Sequence, residues 1–159
     1  MASEFKLTVN SDMASLTTIC EFIHSAAREL GLDDDQTFAV HVALDEACCN
    51  IIQHGYGGRM DGTIDIICRL SGNDVVVTIR DTAPPFDPES VPEPDVSAPL
   101  EGRDGGGLGL YLMKKLMDSV EFEFDAVRGN LLIMRKKRDS AEAPHQRNRR
   151  AGIRARPNQ

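Results

Sequence analysis

Ile64-Asp65-Ile66-Ile67-Cys68-Arg69-Leu70-Ser71-Gly72-Asn73-Asp74-Val75-Val76-Val77-Thr78-Ile79-Arg80-Asp81 is the stretch that decides the fold class. Ile64, Ile66, Cys68 and Leu70 fall on alternate positions, and Val75, Val77 and Ile79 do so again. A period of two puts each set on one face of a strand. Ser71-Gly72-Asn73-Asp74 between them is a turn, so the pair is a hairpin. Asp81 continues the parity of the second strand. It therefore falls on the core-facing side, at the strand end, where an apolar pocket would begin.

Toward the N-terminus the periods change. Phe5-Lys6-Leu7-Thr8-Val9 alternates as a short strand. Ser11 or Asp12 is placed to cap a helix in which Leu16, Ile19, Cys20, Ile23, Ala27 and Leu30 follow helical spacing. Gly31 closes that helix. Asp33 with Gln36 forms a capping box for a second helix, which is expected to run to Gly55-Tyr56-Gly57-Gly58.

Toward the C-terminus, residues 82–105 are rich in Pro, Gly and acid, with prolines at 84, 85, 88, 92, 94 and 99. A connection this long without periodicity belongs to functional loops or mobile segments. Gly105-Gly106-Gly107-Leu108-Gly109 then leads into a helix, Leu110 to Met117. Val120, Phe122 and Phe124 mark a strand, Arg128-Gly129-Asn130 a turn, and Leu131 to Met134 a last buried strand. The order β-α-α-β-β-loop-α-β-β predicts an α+β two-layer sandwich. Three helices cover one face of a mixed, mostly antiparallel sheet.

Length and composition narrow the function. A chain of 159 residues suggests one domain with a sizeable core. It contains no apolar run of about 18 residues, so no membrane span is expected. Met1-Ala2-Ser3-Glu4-Phe5-Lys6 has no export-signal character, and the expected location is cytoplasmic. The four cysteines, Cys20, Cys48, Cys49 and Cys68, show neither a C-x-x-C pair nor zinc spacing and are read as reduced thiols. Net charge is −7, unevenly spread. Residues 135–159 hold nine of the 18 Lys and Arg against two acids, which leaves nine cations against 23 acids, or −14, in residues 1–134. An acidic body argues against direct nucleic-acid binding. From about Ser140 the chain is basic and aperiodic, and disorder is expected.

Three constellations carry chemistry. Glu46 and Asn50 lie four apart on a helix that is otherwise mostly small or apolar, and so share a face. An amide oxygen is a hard ligand suited to magnesium. A carboxylate one turn away is placed to act as general base toward a hydroxyl near a γ-phosphate. Asp81 at its strand end can accept a hydrogen bond from an exocyclic amine such as that of adenine. The glycine run at a helix start offers bare amides to a phosphate chain, although it is neither a Walker motif nor a dinucleotide fingerprint. Taken singly, these features equally describe a solvated helix face, a strand-ending turn and a hinge.

Taken in order, they resemble the GHKL ATPase superfamily, which spans gyrase, histidine-kinase and MutL ATP sites. Pro85-Phe86-Asp87-Pro88 and Gly107-Leu108-Gly109-Leu110 are similar to the anti-sigma factor serine/threonine kinases of bacteria. The resemblance covers roughly residues 5–137. It implies the Bergerat ATP-binding fold over residues 1–138, with 139–159 as a basic tail. It implies Glu46 as catalytic base, Asn50 as magnesium ligand and Asp81 as adenine reader, with Ala83 beside it. The amides of Gly105, Gly107 and Gly109, with Leu108 among them, would cradle phosphates. His54 would face the phosphates, and residues 84–105 would form the lid. The cofactors implied are ATP and Mg2+; the partners are a sigma factor and an anti-sigma antagonist, with the chain as a homodimer.

One position departs from the pattern. The family usually has Gly two residues after the aspartate, and here Ala83 is expected to crowd the adenine or its bridging water. Two rivals follow: a sequestering module with weak or no catalysis, and the ATP-binding half of a histidine kinase. The latter needs a helix bearing an acceptor histidine, for which there is no room before Phe5. His24 and His41 lie within predicted helices of the domain itself.

Overall fold

The computed structural model describes residues 4–85 and 105–139. Five strands, β1 (Glu4–Asn10), β2 (Thr63–Ser71), β3 (Asp74–Asp81), β4 (Ser119–Asp125) and β5 (Gly129–Lys137), form one sheet in the order β1-β2-β3-β5-β4. All four pairings are antiparallel, so the sheet is not mixed among the described strands. Helices α1 (Ser15–Glu29), α2 (Asp34–Asn50) and α3 (Gly105–Leu116) supply the second layer, with α2 packed between α1 and α3. The proline-rich segment expected to form the lid lies outside the described residues from 86 to 104, as does the basic tail beyond 139.

The alternation in the hairpin explains the core. Ile64, Ile66 and Cys68 of β2, Val75, Val77 and Ile79 of β3, and Met134 of β5 are all fully buried. They meet Ile19 and Ile23 of α1, Val40, Ala43 and Leu44 of α2, and Leu110, Met113 and Met117 at α3. Burying such side chains supplies roughly 1.5–3 kcal/mol each. Because α2 is flanked on both sides, it is apolar on more than one face. Val76 lies on the other face of the sheet and is buried too; it sits in register between Arg69 and Arg135, whose stems can cover it.

The helix ends are fixed by specific groups. Asp33 accepts the Gln36 amide at 2.7 Å while the Gln36 side chain accepts the Asp33 amide at 3.0 Å, completing the expected capping box. Gly31 takes φ +102°, as a C-terminal cap requires. Lys136 of β5 donates to the Leu116 carbonyl at 2.6 Å, placing a cation at the negative end of α3.

Three local expectations are corrected. Neither Ser11 nor Asp12 caps α1: Ala14 stands at the N-cap without a side-chain bond. Ser11 is instead buried, donating to the Arg59 carbonyl and accepting the Gly62 amide, so its hydroxyl closes the β1–β2 edge. The second helix does not stay α-helical to Gly55. It widens after Asn50 into a π-helical turn, Ile51–Gly55, closed by the Tyr56 amide on the Ile51 carbonyl at 2.8 Å. Such turns often mark functional sites. The glycine run does not precede α3, because the helix already begins at Gly105.

Gly129 opens β5 with φ +93°, and a β-carbon there would collide with the Asp81 carbonyl oxygen. Gly129→Ala should therefore cost about 1–3 kcal/mol. Thermal melts should show a fall of several degrees; an unchanged melt would mean that the β4–β5 turn relaxes freely.

Candidate functional site

Asp81 ends the central strand of the sheet, in register with Ile64 on one side and Asn130 on the other. It is 6% exposed. Its Oδ1 accepts from the Ala83 amide at 2.9 Å and from Asn130 Nδ2 at 2.8 Å. Asn130 Nδ2 also donates to the Ala83 carbonyl at 2.9 Å. Among the described residues both bonds to Asp81 fall on Oδ1, and Oδ2 takes none. Burial pushes the carboxyl above its ordinary value, and the bonds from Asn130 and Ala83 oppose that rise.

Tyr56 holds the segment after Asp81 against the end of α2. Its hydroxyl donates to the Thr63 carbonyl at 2.8 Å and accepts the Thr82 amide at 2.9 Å. Gly62 is needed beneath it, since a β-carbon there would collide with the Tyr56 ring. A β-carbon on Gly55 would stand 3.1 Å from that of Ala83. The Ala83 methyl thus packs into space left by Gly55 and is almost wholly buried.

Glu46 and Asn50 lie half-buried on α2, one turn apart as expected. Among the described residues neither side chain has a hydrogen-bond partner. Burial first, and then the neighbouring Asp45 charge, hold Glu46 above the usual carboxylate range. The first turn of α3 lies on top of this pair. A β-carbon on Gly109 would come 3.1 Å from Glu46 Oε2 and 3.2 Å from Asn50 Nδ2. Gly105 and Gly107 belong to the same turn, and Leu108 is half-buried in it. His54 stays exposed at the end of the π-helical turn. Cys48, fully buried on α2 between Glu46 and Asn50, is raised by burial first, then by Cys49, Asp45 and Asp81. A β-carbon on Gly55 would meet both the Ala83 methyl and, at 4.0 Å, the Asn50 carbonyl, so the Asp81 bend lies against the end of the helix that carries Glu46 and Asn50.

Sequence reading missed Asn130 and Tyr56. Asn130 had been part of a turn and Tyr56 part of a glycine-rich helix end, and their partners lie 49 and 26 residues away at Asp81 and Thr82.

The profile described as "Histidine kinase-like ATPase domain" matches residues 9–136. The chain belongs to this family. Among curated relatives of this ATPase-domain chain are the serine-protein kinases RsbW of Bacillus thuringiensis (strain Al Hakam) and of Bacillus cereus (strain 03BB102). Each is 29% identical over 137 residues, covering 84% of this chain and 82% of the relative. A solved structure of the RsbU and RsbW domains of Rv1364c from Mycobacterium tuberculosis superposes with a TM-score of 0.61 at 17% identity. It aligns with 86% of this chain and 32% of that one, and supports the fold. Among the described residues, no helix is long and apolar enough to cross a membrane.

A raised folded pKa means that Asp81 binds its proton more tightly folded than unfolded. The folded state gains below the unfolded value of about 3.9, and that gain is lost as pH rises through the folded value. Asp81→Asn should thus be at least as stable as the parent at neutral pH, with the gap shrinking as pH falls through that window. Urea unfolding of both chains across that range checks this. A gap independent of pH would mean that burial does not govern Asp81.

Proposed function

We propose that this chain is an ATP-dependent serine/threonine kinase of the anti-sigma type, which phosphorylates a small antagonist protein and sequesters a sigma factor. The observation that carries the reading is the packing of Gly109 against Glu46 and Asn50. It brings a glycine-rich helix start together with a carboxylate and an amide that have no hydrogen-bond partner among the described residues. The buried Asp81 stands in the same region. The RsbW relatives add support for the kinase reading, and the family resemblance leads us to infer that the chain acts as a homodimer. Residues 1–138 are taken as the ATP-binding unit.

The residues present fit Mg-ATP. The missing β-carbon of Gly109 leaves room that a side chain would fill. The amides of Gly105, Gly106 and Gly107 at the start of α3 have no partners within the helix and point along its positive end, where they would hold phosphates, while the Gly109 amide, one turn in, stays in the helix ladder. Leu108 stands among them, and exposed His54 is free to approach the phosphates. Asn50 offers a hard oxygen for magnesium. Asp81, with Oδ1 occupied by Ala83 and Asn130, keeps Oδ2 for an exocyclic amine. ATP supplies the phosphoryl group. Glu46 would take the proton from the attacking serine or threonine hydroxyl, and its raised pKa makes it a stronger base than an ordinary carboxylate.

Ala83 bears less against this reading than the sequence pattern suggests. Its methyl is buried against Gly55, and its backbone amide still donates to Asp81 Oδ1. A module that sequesters without catalysis would need no unpaired carboxylate on α2.

Calorimetry and thermal melts with millimolar Mg-ATP test the reading directly, because a ligand of the folded state must stabilise it. Asp81→Asn should weaken binding by about 1.5–3 kcal/mol, or roughly 10–150-fold. Glu46→Gln should bind ATP nearly as well but fail in single-turnover transfer to the partner protein. Neither heat nor stabilisation from Mg-ATP would overturn the proposal, and wild-type transfer by Glu46→Gln would remove Glu46 as base.

The base assignment also sets a pH profile. Transfer should fall as pH drops through a value above the ordinary carboxylate range, because the base must be ionised. Asp45→Asn removes a like charge beside Glu46, so it should move that acid limb to lower pH. An unmoved limb would show that Asp45 does not act on the titrating group.

A further inference from the structure

Away from the Glu46 face, α1 and α2 bring three metal-ligating side chains to one point. Cys20 and His24 are four residues apart on α1 and share a face, and His41 approaches them from α2. The Cys20 sulfur and one ring nitrogen of each histidine all lie within 4.8 Å of one another. His24 Nε2 and His41 Nδ1 are 3.1 Å apart, with the rings edge to face at 69°. At that separation at least one of the two nitrogens presents a lone pair.

This geometry suits an ion. At a Zn–N bond of about 2.0–2.1 Å, two nitrogens of a tetrahedral site stand about 3.3 Å apart. Putting an ion in place of the shared proton parts the two nitrogens by a few tenths of an ångström and tilts each ring so that its lone pair meets the ion, with Cys20 swinging inward. One thiolate with two imidazoles is a borderline-soft donor set, which selects zinc over magnesium or calcium. All three side chains are partly exposed, so an ion can enter from solvent. Arg28, one turn beyond His24, is paired with Asp34 at 3.7 Å.

We propose that Cys20, His24 and His41 form a zinc site, with water as fourth ligand, that clamps α1 to α2. On binding, the Cys20 thiol releases its proton to solvent. Each histidine keeps one N–H, on His24 Nδ1 and His41 Nε2, and turns its other nitrogen to the ion. No oxidation is involved. The clamp braces the helix that carries Glu46 and Asn50 further along, yet it does not depend on what those residues bind.

The test uses the full chain, free of tags, reduced and stripped of metal, with Co2+ as spectroscopic probe and Zn2+ titrated against a chromogenic chelator. One equivalent of Co2+ should give the intense visible bands of a tetrahedral site and a thiolate-to-cobalt charge-transfer band. Zn2+ should displace it and raise the melting temperature. Cys20→Ser should lose the charge-transfer band and weaken Zn2+ by more than the roughly 10–100-fold that loss of an outer-shell partner costs. His41→Gln should weaken it comparably, whereas Cys49→Ser should keep both band and affinity. Cys20 is partly exposed, so its serine variant is expected to fold, and its metal-free melt verifies that. The absence of a one-to-one cobalt adduct, or a charge-transfer band that survives Cys20→Ser, would overturn the proposal.

Discussion

The carboxylate of Asp81, buried at the end of the central strand, is the constraint on which much of this structure turns. A lone ionised carboxylate in that position would be costly. It is tolerated because Ala83 and Asn130 both donate to Oδ1. Those two bonds dictate much around them. The chain must bend back after Asp81 to present the Ala83 amide. β5 must begin where Asn130 can reach across, and its first residue must be Gly129, since a side chain there would strike the Asp81 carbonyl. Tyr56 fastens the bend to the end of α2, and Gly62 leaves room for the Tyr56 ring. A single charged group thus links the middle of the sheet, the last hairpin and the helix layer.

The helix layer shows the complementary pattern. Glu46 and Asn50 are half-buried and have no hydrogen-bond partner among the described residues. Partial burial makes the charged form of Glu46 less stable here than in water. The four glycines at positions 105, 106, 107 and 109 of α3 also lower stability, since glycine resists helix formation by roughly 0.8–1.0 kcal/mol relative to alanine. Stability alone would put better helix formers in this run and replace Glu46 with an apolar residue, whereas a β-carbon on Gly109 would press on Glu46 and Asn50. Local costs that share one location are the signature of a site kept for a ligand, which is why this contact carries the functional proposal.

What the sequence made legible followed from local periodicity. Alternation from Ile64 to Ile79 identified the hairpin and the core side of Asp81. Asp33 and Gln36 announced α2, because a capping box involves only near neighbours. Glu46 and Asn50 could be paired because helical spacing fixes their shared face. The failures are tertiary. Ser11 looked like a cap, but burial against the Arg59–Gly62 segment claimed its hydroxyl. Asn130 looked like a turn residue because its partner is on another strand. The glycine run looked like a hinge because glycine disfavours helices, yet packing on α2 holds it helical. Cys20, His24 and His41 showed no metal spacing because two of the ligands sit on one helix and the third on the next.

Ala83 shows how a motif departure can be absorbed. On pattern alone, a β-carbon two residues after Asp81 threatens the space beside the carboxylate. A methyl does not occupy space in general; it occupies the space toward which its Cα–Cβ bond points. Here that direction meets Gly55, which closes the π-helical turn after α2 and has no side chain of its own. A β-carbon on Gly55 would stand 3.1 Å from that of Ala83, tight enough that one of the two would have to give by a few tenths of an ångström. What the bend needs is therefore one small group at this contact, and either residue could carry it. The Ala83–Gly55 arrangement keeps the Ala83 amide on Asp81 Oδ1 and the Ala83 carbonyl on Asn130, the backbone contacts that a glycine at 83 would make.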